Sequence, residues 1–73
     1  MAPERKEPGE LYFFIDLYAT AARVLSAREC KLSYPSFAGA RLEAGNYFHT
    51  PEEAWKYAER LNRVLRDRIG ETV

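Results

Sequence analysis

The chain has 73 residues, which is enough for one small domain and too few for two. Its 11 basic and 11 acidic residues give a formal net charge of zero, so the basic excess typical of proteins that grip nucleic-acid phosphates is absent. A single cysteine, Cys30, excludes an internal disulfide and a cysteine-rich zinc cluster, and it is most simply explained by a reducing compartment, the cytosol. The longest apolar run, residues 11–15, is far shorter than a membrane span, and the charged, proline-containing start argues against a secretion signal.

Residues 1–10 are predicted to form a flexible, disordered N-terminal tail. They are mostly charged, contain two prolines and a glycine, and offer little apolar surface to bury. The tail is either a disordered end without a function or an arm that orders on a partner, with Arg5 and Lys6 as its cations. The rest of the chain, 11–73, is predicted to be one small domain.

The best strand candidate is the segment 11–17, which is rich in aromatic and β-branched residues and follows a Pro-Gly turn signal. Side chains alternate along a strand, so two sets are expected. The set predicted to face the core contains Leu11, Phe13, Ile15 and Leu17. The set predicted to form a half-exposed outer face contains Tyr12, Phe14 and Asp16.

Residues 18–31 give a weaker signal. Their alanines favour a helix, but the apolar positions fit neither a helical nor a strand period cleanly. A second strand around residues 22–28 that pairs with the first is favoured, because a lone strand would leave its backbone groups unpaired. A short helix is the alternative. Residues 32–45 contain a proline, two serines and two glycines, and they are predicted to be loop or short irregular structure.

The sequence Thr-Pro-Glu-Glu is a specific helix start. Thr50 can cap the helix, Pro51 has the backbone angle that suits the first helical position, and Glu53 can complete a capping box. The helix is predicted to run from residue 51 to about residue 69, with Gly70 as its stop.

The two faces of this helix differ in chemistry. Its predicted core stripe consists of Ala54, Ala58, Leu61, Leu65 and Ile69. Tyr57 and Val64 flank that stripe on one side, and Trp55 flanks it on the other. The opposite face mixes acidic residues with Lys56, Arg60, Arg63 and Arg66. This face is either a solvated surface or a docking surface that carries arginines, and both interpretations stay open.

The sequence offers no catalytic machinery. The only histidine, His49, and the only cysteine, Cys30, lie far apart in the chain and give no sign of a nucleophile with its base. No metal-ligand cluster and no glycine-rich phosphate loop is present. We therefore expect a protein that is not an enzyme and that has no cofactor, no small-molecule substrate and no membrane partner.

A protein-binding function is the remaining class. Five tyrosines, four phenylalanines and one tryptophan either pack a minimal core or lie partly on a contact surface, where aromatic residues and arginines serve as anchors. The predicted partner contacts are Arg5, Lys6, Tyr12, Phe14, Arg60, Arg63 and Arg66. The alternative is a nucleic-acid-binding protein that uses the arginine-rich end of the helix. A third possibility is a purely structural module that associates with itself. The predicted fold class is α+β, a small antiparallel hairpin or sheet packed against one C-terminal helix.

The segment 45–54, Gly-Asn-Tyr-Phe-His-Thr-Pro-Glu-Glu-Ala, resembles the connection between a β-hairpin and a closing helix in small bacterial and phage proteins. The whole chain, through its length, its charged and proline-containing start and its Leu-Tyr-Phe-Phe-Ile-Asp strand, resembles the small RNA-polymerase-binding transcription regulators of lytic Xanthomonas phages. No motif within the chain is diagnostic of that function.

This resemblance implies a function in the cytoplasm of a bacterial host. The chain would bind the N-terminal part of the polymerase β′ subunit, near the RNA exit channel and the flap of the β subunit. It would inhibit initiation by weakening or displacing the sigma factor, and it would permit read-through of terminators. Nucleic acid would be contacted only indirectly, and the free chain would be a monomer.

Overall fold

The computed structural model describes residues 4–18, 21–30 and 37–72, with side chains described as far as residue 68. Two strands and two helices follow one another along the chain: β1 (Leu11–Tyr18), β2 (Ala21–Arg28), α1 (Phe37–Glu43) and α2 (Pro51–Thr72). The strands form a two-stranded antiparallel sheet that packs against α2. The predicted α+β class is confirmed, and so is the second strand. The alternative helix is wrong for the residues of β2.

The register of the hairpin decides which side chains share a face. Tyr12 pairs with Ala27 and Phe14 with Leu25, so these side chains lie on one face of the sheet. This face is covered by α1 and by Tyr47. Ala38 of α1 and Tyr47 form a buried cluster with Tyr12. The opposite face, which carries Ile15 and Leu17, lies beside α2.

The predicted core face of β1 needs a correction. Tyr12 was expected on the outer face, but its side chain is only 1% exposed. Leu11 and Leu17 were expected in the core, but they are 43% and 63% exposed. The reason is that α1, which the sequence did not predict, covers the face on which Tyr12 lies.

Helix α1 corrects the prediction of loop for residues 37–43. It ends in a Schellman motif, because the N–H of Asn46 donates to the carbonyl of Arg41 (2.8 Å) and the N–H of Gly45 donates to the carbonyl of Leu42 (3.1 Å). Gly45 adopts φ +75°, a conformation that favours glycine. The glycine that punctuates the sequence here is therefore a helix cap, which turns the chain back toward β1. The part of the predicted loop at residues 32–36 lies outside the described residues.

The outer edge of β1 is closed by the segment after this cap. Phe13 and Phe48 exchange two backbone hydrogen bonds of 2.8 Å. The side-chain amide of Asn46 accepts a hydrogen bond from the N–H of Ile15 (2.7 Å) and donates one to its carbonyl (2.8 Å). The backbone groups of Phe13 and Ile15 that point away from β2 thus find partners, which a two-stranded sheet cannot provide by itself.

Helix α2 begins where the sequence predicts. The N–H of Glu53 donates to Oγ1 of Thr50 (3.3 Å), and Pro51 is the first helical residue. The predicted stop at Gly70 is wrong, because the helix continues to Thr72. A glycine inside a helix costs only about 1 kcal/mol relative to alanine, so it does not by itself end one.

The predicted core stripe of α2 is confirmed in its first half only. Ala54 and Ala58 are fully buried, whereas Leu61 and Val64 are exposed and Leu65 is half-buried. The side chain of Ile69 lies outside the described residues. Asn62, between these positions, binds the backbone of Ala22: its Oδ1 accepts from the N–H (2.7 Å) and its Nδ2 donates to the carbonyl (3.1 Å).

No helix in the described part of the chain is both long enough and apolar enough to cross a lipid bilayer.

The contact between Asn62 and the edge of β2 gives a test of the fold. Asn62→Ala should lower the free energy of unfolding by about 2 kcal/mol, because two hydrogen bonds to the buried Ala22 are lost together. Urea unfolding followed by circular dichroism measures this loss. Glu59→Ala, a change at an exposed position of the same helix, should alter stability by less than about 0.5 kcal/mol. Equal stabilities of the two variants would contradict the role assigned to Asn62.

Candidate functional site

A buried carboxylate joins the N-terminal segment to the domain. Glu29 is only 3% exposed, and it accepts a hydrogen bond from the hydroxyl of Tyr47 (2.7 Å) and forms an ion pair with Nε of Arg5. The same Tyr47 hydroxyl accepts from the backbone N–H of Lys6 (2.8 Å). The ammonium group of Lys6 donates to the carbonyl of His49 (3.1 Å).

These contacts change the view of Arg5 and Lys6. Residues 4–10 form no helix or strand, in keeping with the predicted tail. Both cations, however, make contacts within the chain: Arg5 binds Glu29, and Lys6 binds the carbonyl of His49. Any partner that binds them must compete with Glu29 and with the backbone around His49.

The pKa of Glu29 results from opposing effects. Burial alone would raise it, but the hydrogen bonds from Tyr47 and Arg5, the positive charge of Arg5 and the N–H of Cys30 together lower the pKa below the ordinary value of 4.5. The carboxylate is therefore ionised at neutral pH. Burial also raises the pKa of Tyr47 to about 12, and the neighbouring Glu29 carboxylate adds to this shift, so its hydroxyl keeps the proton that it donates.

A second cluster lies on the same face of the hairpin. The rings of Tyr12 and Tyr47 are stacked, with centroids 4.5 Å apart and planes at 11°. The hydroxyl of Tyr12 accepts a hydrogen bond from Nη1 of Arg41 (2.6 Å). The guanidinium of Arg41 lies 3.7 Å from the centroid of the Phe14 ring and 5.6 Å from that of Phe37. An arginine is thus held on an aromatic surface.

An apolar groove lies on the opposite face, between β1, the segment after α1, and α2. We call it the α2 groove. It has a volume of about 400 Å³ and is lined by Ile15, Leu17, Gly45, Asn46, Phe48, Tyr57, Arg60 and Leu61. Three large apolar side chains around it are well exposed: Leu17 (63%), Tyr57 (51%) and Leu61 (41%). Its only charged lining residue is Arg60, whose guanidinium lies 5.5 Å from the centroid of the Tyr57 ring.

The predicted contact residues do not form one surface. Arg60 lines the α2 groove, whereas Arg63 and Arg66 are exposed on α2 outside its lining. Phe14 is half-buried under Arg41 on the opposite face. The expectation that Tyr12 points outward is wrong, since its ring is buried between α1 and Tyr47.

Sequence reasoning missed several residues of both surfaces. Arg41 was hidden in a segment predicted as loop. Leu17 and Leu61 were placed in the core, and Tyr57 beside it. The sequence did contain one signal that some of these residues would be exposed. The hairpin and the helix together carry more large apolar side chains than a two-stranded sheet can cover.

The described residues contain no group of three or more histidine, cysteine, aspartate or glutamate side chains that could hold a metal ion. His49 Nε2 lies 2.7 Å from the carbonyl oxygen of Glu4, and the Cys30 side chain is exposed. Comparison of the chain with protein-family models, with curated proteins and with solved structures gave no match.

The Glu29 network predicts a specific pH dependence. Because the pKa of Glu29 is lower in the folded protein, its contribution to stability is complete above the ordinary value of 4.5 and is lost as the pH falls through the folded value. Glu29→Gln should lower the unfolding free energy by about 2 kcal/mol at pH 7, since a buried charged acceptor is replaced by a neutral one. The difference between wild type and variant should shrink as the pH falls below 4.5.

Urea unfolding at a series of pH values measures this difference. Glu43→Gln, which changes an exposed carboxylate, is the matched control and should follow the wild-type curve. A wild-type-to-Glu29→Gln difference that stays constant from neutral to acid pH would refute the assignment.

Proposed function

We propose that this chain is a stoichiometric transcription regulator that acts by binding bacterial RNA polymerase, without catalysis and without a cofactor. The observation that carries the binding role is the α2 groove, a concave apolar surface with three exposed large side chains and a single arginine. Exposed apolar surface rimmed by polar residues is a common feature of interaction sites. Aromatic residues and arginines in a pocket that excludes water are the usual anchors of protein interfaces.

The choice of polymerase is supported by the resemblance to RNA-polymerase-binding phage regulators. On this proposal the chain binds the N-terminal part of the β′ subunit, near the RNA exit channel and the β flap, in the cytoplasm of the host. Binding there weakens or displaces the sigma factor and so inhibits initiation, and it permits read-through of terminators. The free chain is a monomer, and nucleic acid is contacted only through the polymerase.

The shape of the molecule suits occlusion as the mechanism. Helix α2 has 22 residues and is therefore about 33 Å long, while the hairpin covers mainly its first half. Once the groove is occupied, the remaining helix projects beyond the docking point. This projecting part of α2 can cover a neighbouring surface on which another factor would bind.

A pull-down tests the proposal directly. The tagged chain is incubated with a bacterial lysate at moderate salt, with nuclease added to remove bridging nucleic acid. Co-elution of the β and β′ subunits supports the proposal. Retention of material only when nuclease is omitted would replace it with the nucleic-acid alternative, as would an affinity that falls log-linearly and steeply with salt.

The α2 groove makes a quantitative prediction for this binding. Tyr57→Ala and Leu61→Ala should each weaken binding to purified polymerase by about 2 kcal/mol, because each removes an apolar anchor from the groove. Fluorescence titration of the labelled chain with polymerase measures the change. Trp55→Ala is the matched control, since Trp55 is a large, exposed aromatic residue of the same helix that does not line the groove.

Thermal unfolding establishes that each variant remains folded. If Trp55→Ala weakens binding while the two groove variants bind as wild type does, the docking surface lies on the other side of α2.

A further inference from the structure

Arg41 is held by contacts that fix its position and its plane. Its guanidinium lies over the ring of Phe14 at 3.7 Å, and Nη1 donates to the Tyr12 hydroxyl at 2.6 Å. The Tyr12 ring is in turn stacked on Tyr47, whose hydroxyl is bound to Glu29. The orientation of this cation is therefore set by the buried core and not by solvent, so little rotamer freedom is left to lose on binding.

No carboxylate among the described residues forms an ion pair with Arg41. A guanidinium has five N–H donors, and in the described part of the chain only the bond to Tyr12 uses one. Arg23 provides an internal comparison. It lies 4.4 Å from the centroid of the Tyr18 ring in the same manner, but it also forms an ion pair with Asp16 (3.3 Å). Arg41 likewise lies over an aromatic ring, but it forms no ion pair with an acid in the described part of the chain.

We propose that Arg41 is an anchor for a carboxylate, an aspartate or glutamate side chain of the protein partner, bound through the donors that Tyr12 does not occupy. This inference deepens the proposed function and rests on it, because it states the chemistry of the partner surface. Arginine is suited to this role, since its planar fork matches the two oxygens of a carboxylate. The ring of Phe37, 73% exposed beside the guanidinium, provides the apolar contact for a residue adjacent to the acid.

A protein carboxylate fits this surface better than a nucleic-acid phosphate. Arg41 is the only lysine or arginine in β1 and α1, and α1 also carries the acidic Glu43. Binding to a phosphate backbone draws on several unpaired cations along the strand, whereas the hairpin's own cation on this face, Arg23, is already paired with Asp16. A single planar cation flanked by aromatic rings instead matches one acidic residue next to an apolar one.

Binding to purified polymerase is the first test. R41Q should weaken it by about 30-fold, the loss expected when an arginine anchor is removed from an interface. R41K keeps the charge but loses the planar fork and the stacking, so most of the loss should remain. Thermal unfolding checks the fold, and if R41Q does not fold, R41K decides. Wild-type affinity in a folded R41K or R41Q variant would overturn the inference while leaving the proposed function intact.

A second test does not depend on the polymerase. The isotope-labelled chain is titrated with the blocked dipeptide acetyl-Phe-Glu-amide and with its neutral counterpart acetyl-Phe-Gln-amide, and the arginine Nε–Hε signals are followed by NMR. The acidic dipeptide should shift the Arg41 signal saturably, and the neutral one should leave it in place. Equal shifts with both dipeptides would overturn the inference, as would a larger shift with a short oligouridylate.

The two tests separate the two ideas. A wild-type chain that responds at Arg41 to the acidic dipeptide but does not bind polymerase retains the carboxylate anchor and refutes the choice of partner.

Discussion

A two-stranded sheet is unstable alone because it has two faces and two edges to satisfy, and this chain has few residues with which to do so. Two asparagines provide hydrogen-bond partners for backbone groups at the outer edges of the two strands. The amide of Asn46 binds both backbone groups of Ile15 on β1, and the amide of Asn62 binds both groups of Ala22 on β2. Each amide takes the place of the backbone of a neighbouring strand. Asn46 is positioned by the end of α1 and Asn62 by α2, so the hairpin depends on the placement of both helices.

The two faces of the hairpin are covered unequally, and this inequality creates the candidate surfaces. On one face, α1 and Tyr47 bury Tyr12 and leave Arg41 fixed above the rings. On the other face, α2 contributes alanines where it approaches most closely, so larger side chains around the contact remain partly exposed. The α2 groove is therefore the part of the core that this short chain leaves unfilled. The small size of the core and the exposed apolar groove thus have the same cause.

The features that could be predicted from the sequence are those with local causes. The aromatic strand, its partner strand and the capped start of α2 each follow from residues adjacent in the chain. Helix α1 was missed because it has only seven residues, includes Gly39, and ends at a glycine that also suits a loop. The burial of Tyr12 was missed because a strand pattern defines two faces but not which one a helix will cover. The pairing of Arg5 with Glu29 has no local pattern, since 24 positions separate them.

That last contact also bears on how long the fold persists. Glu29 is joined to residues 24 and 18 positions away, so its network must close long loops, and we expect it to form after the more local hairpin. Interactions made after the folding barrier has been crossed slow unfolding without hastening folding. With that order of events, the contacts of the N-terminal segment are expected to lengthen the lifetime of the native state more than they shorten the time needed to reach it.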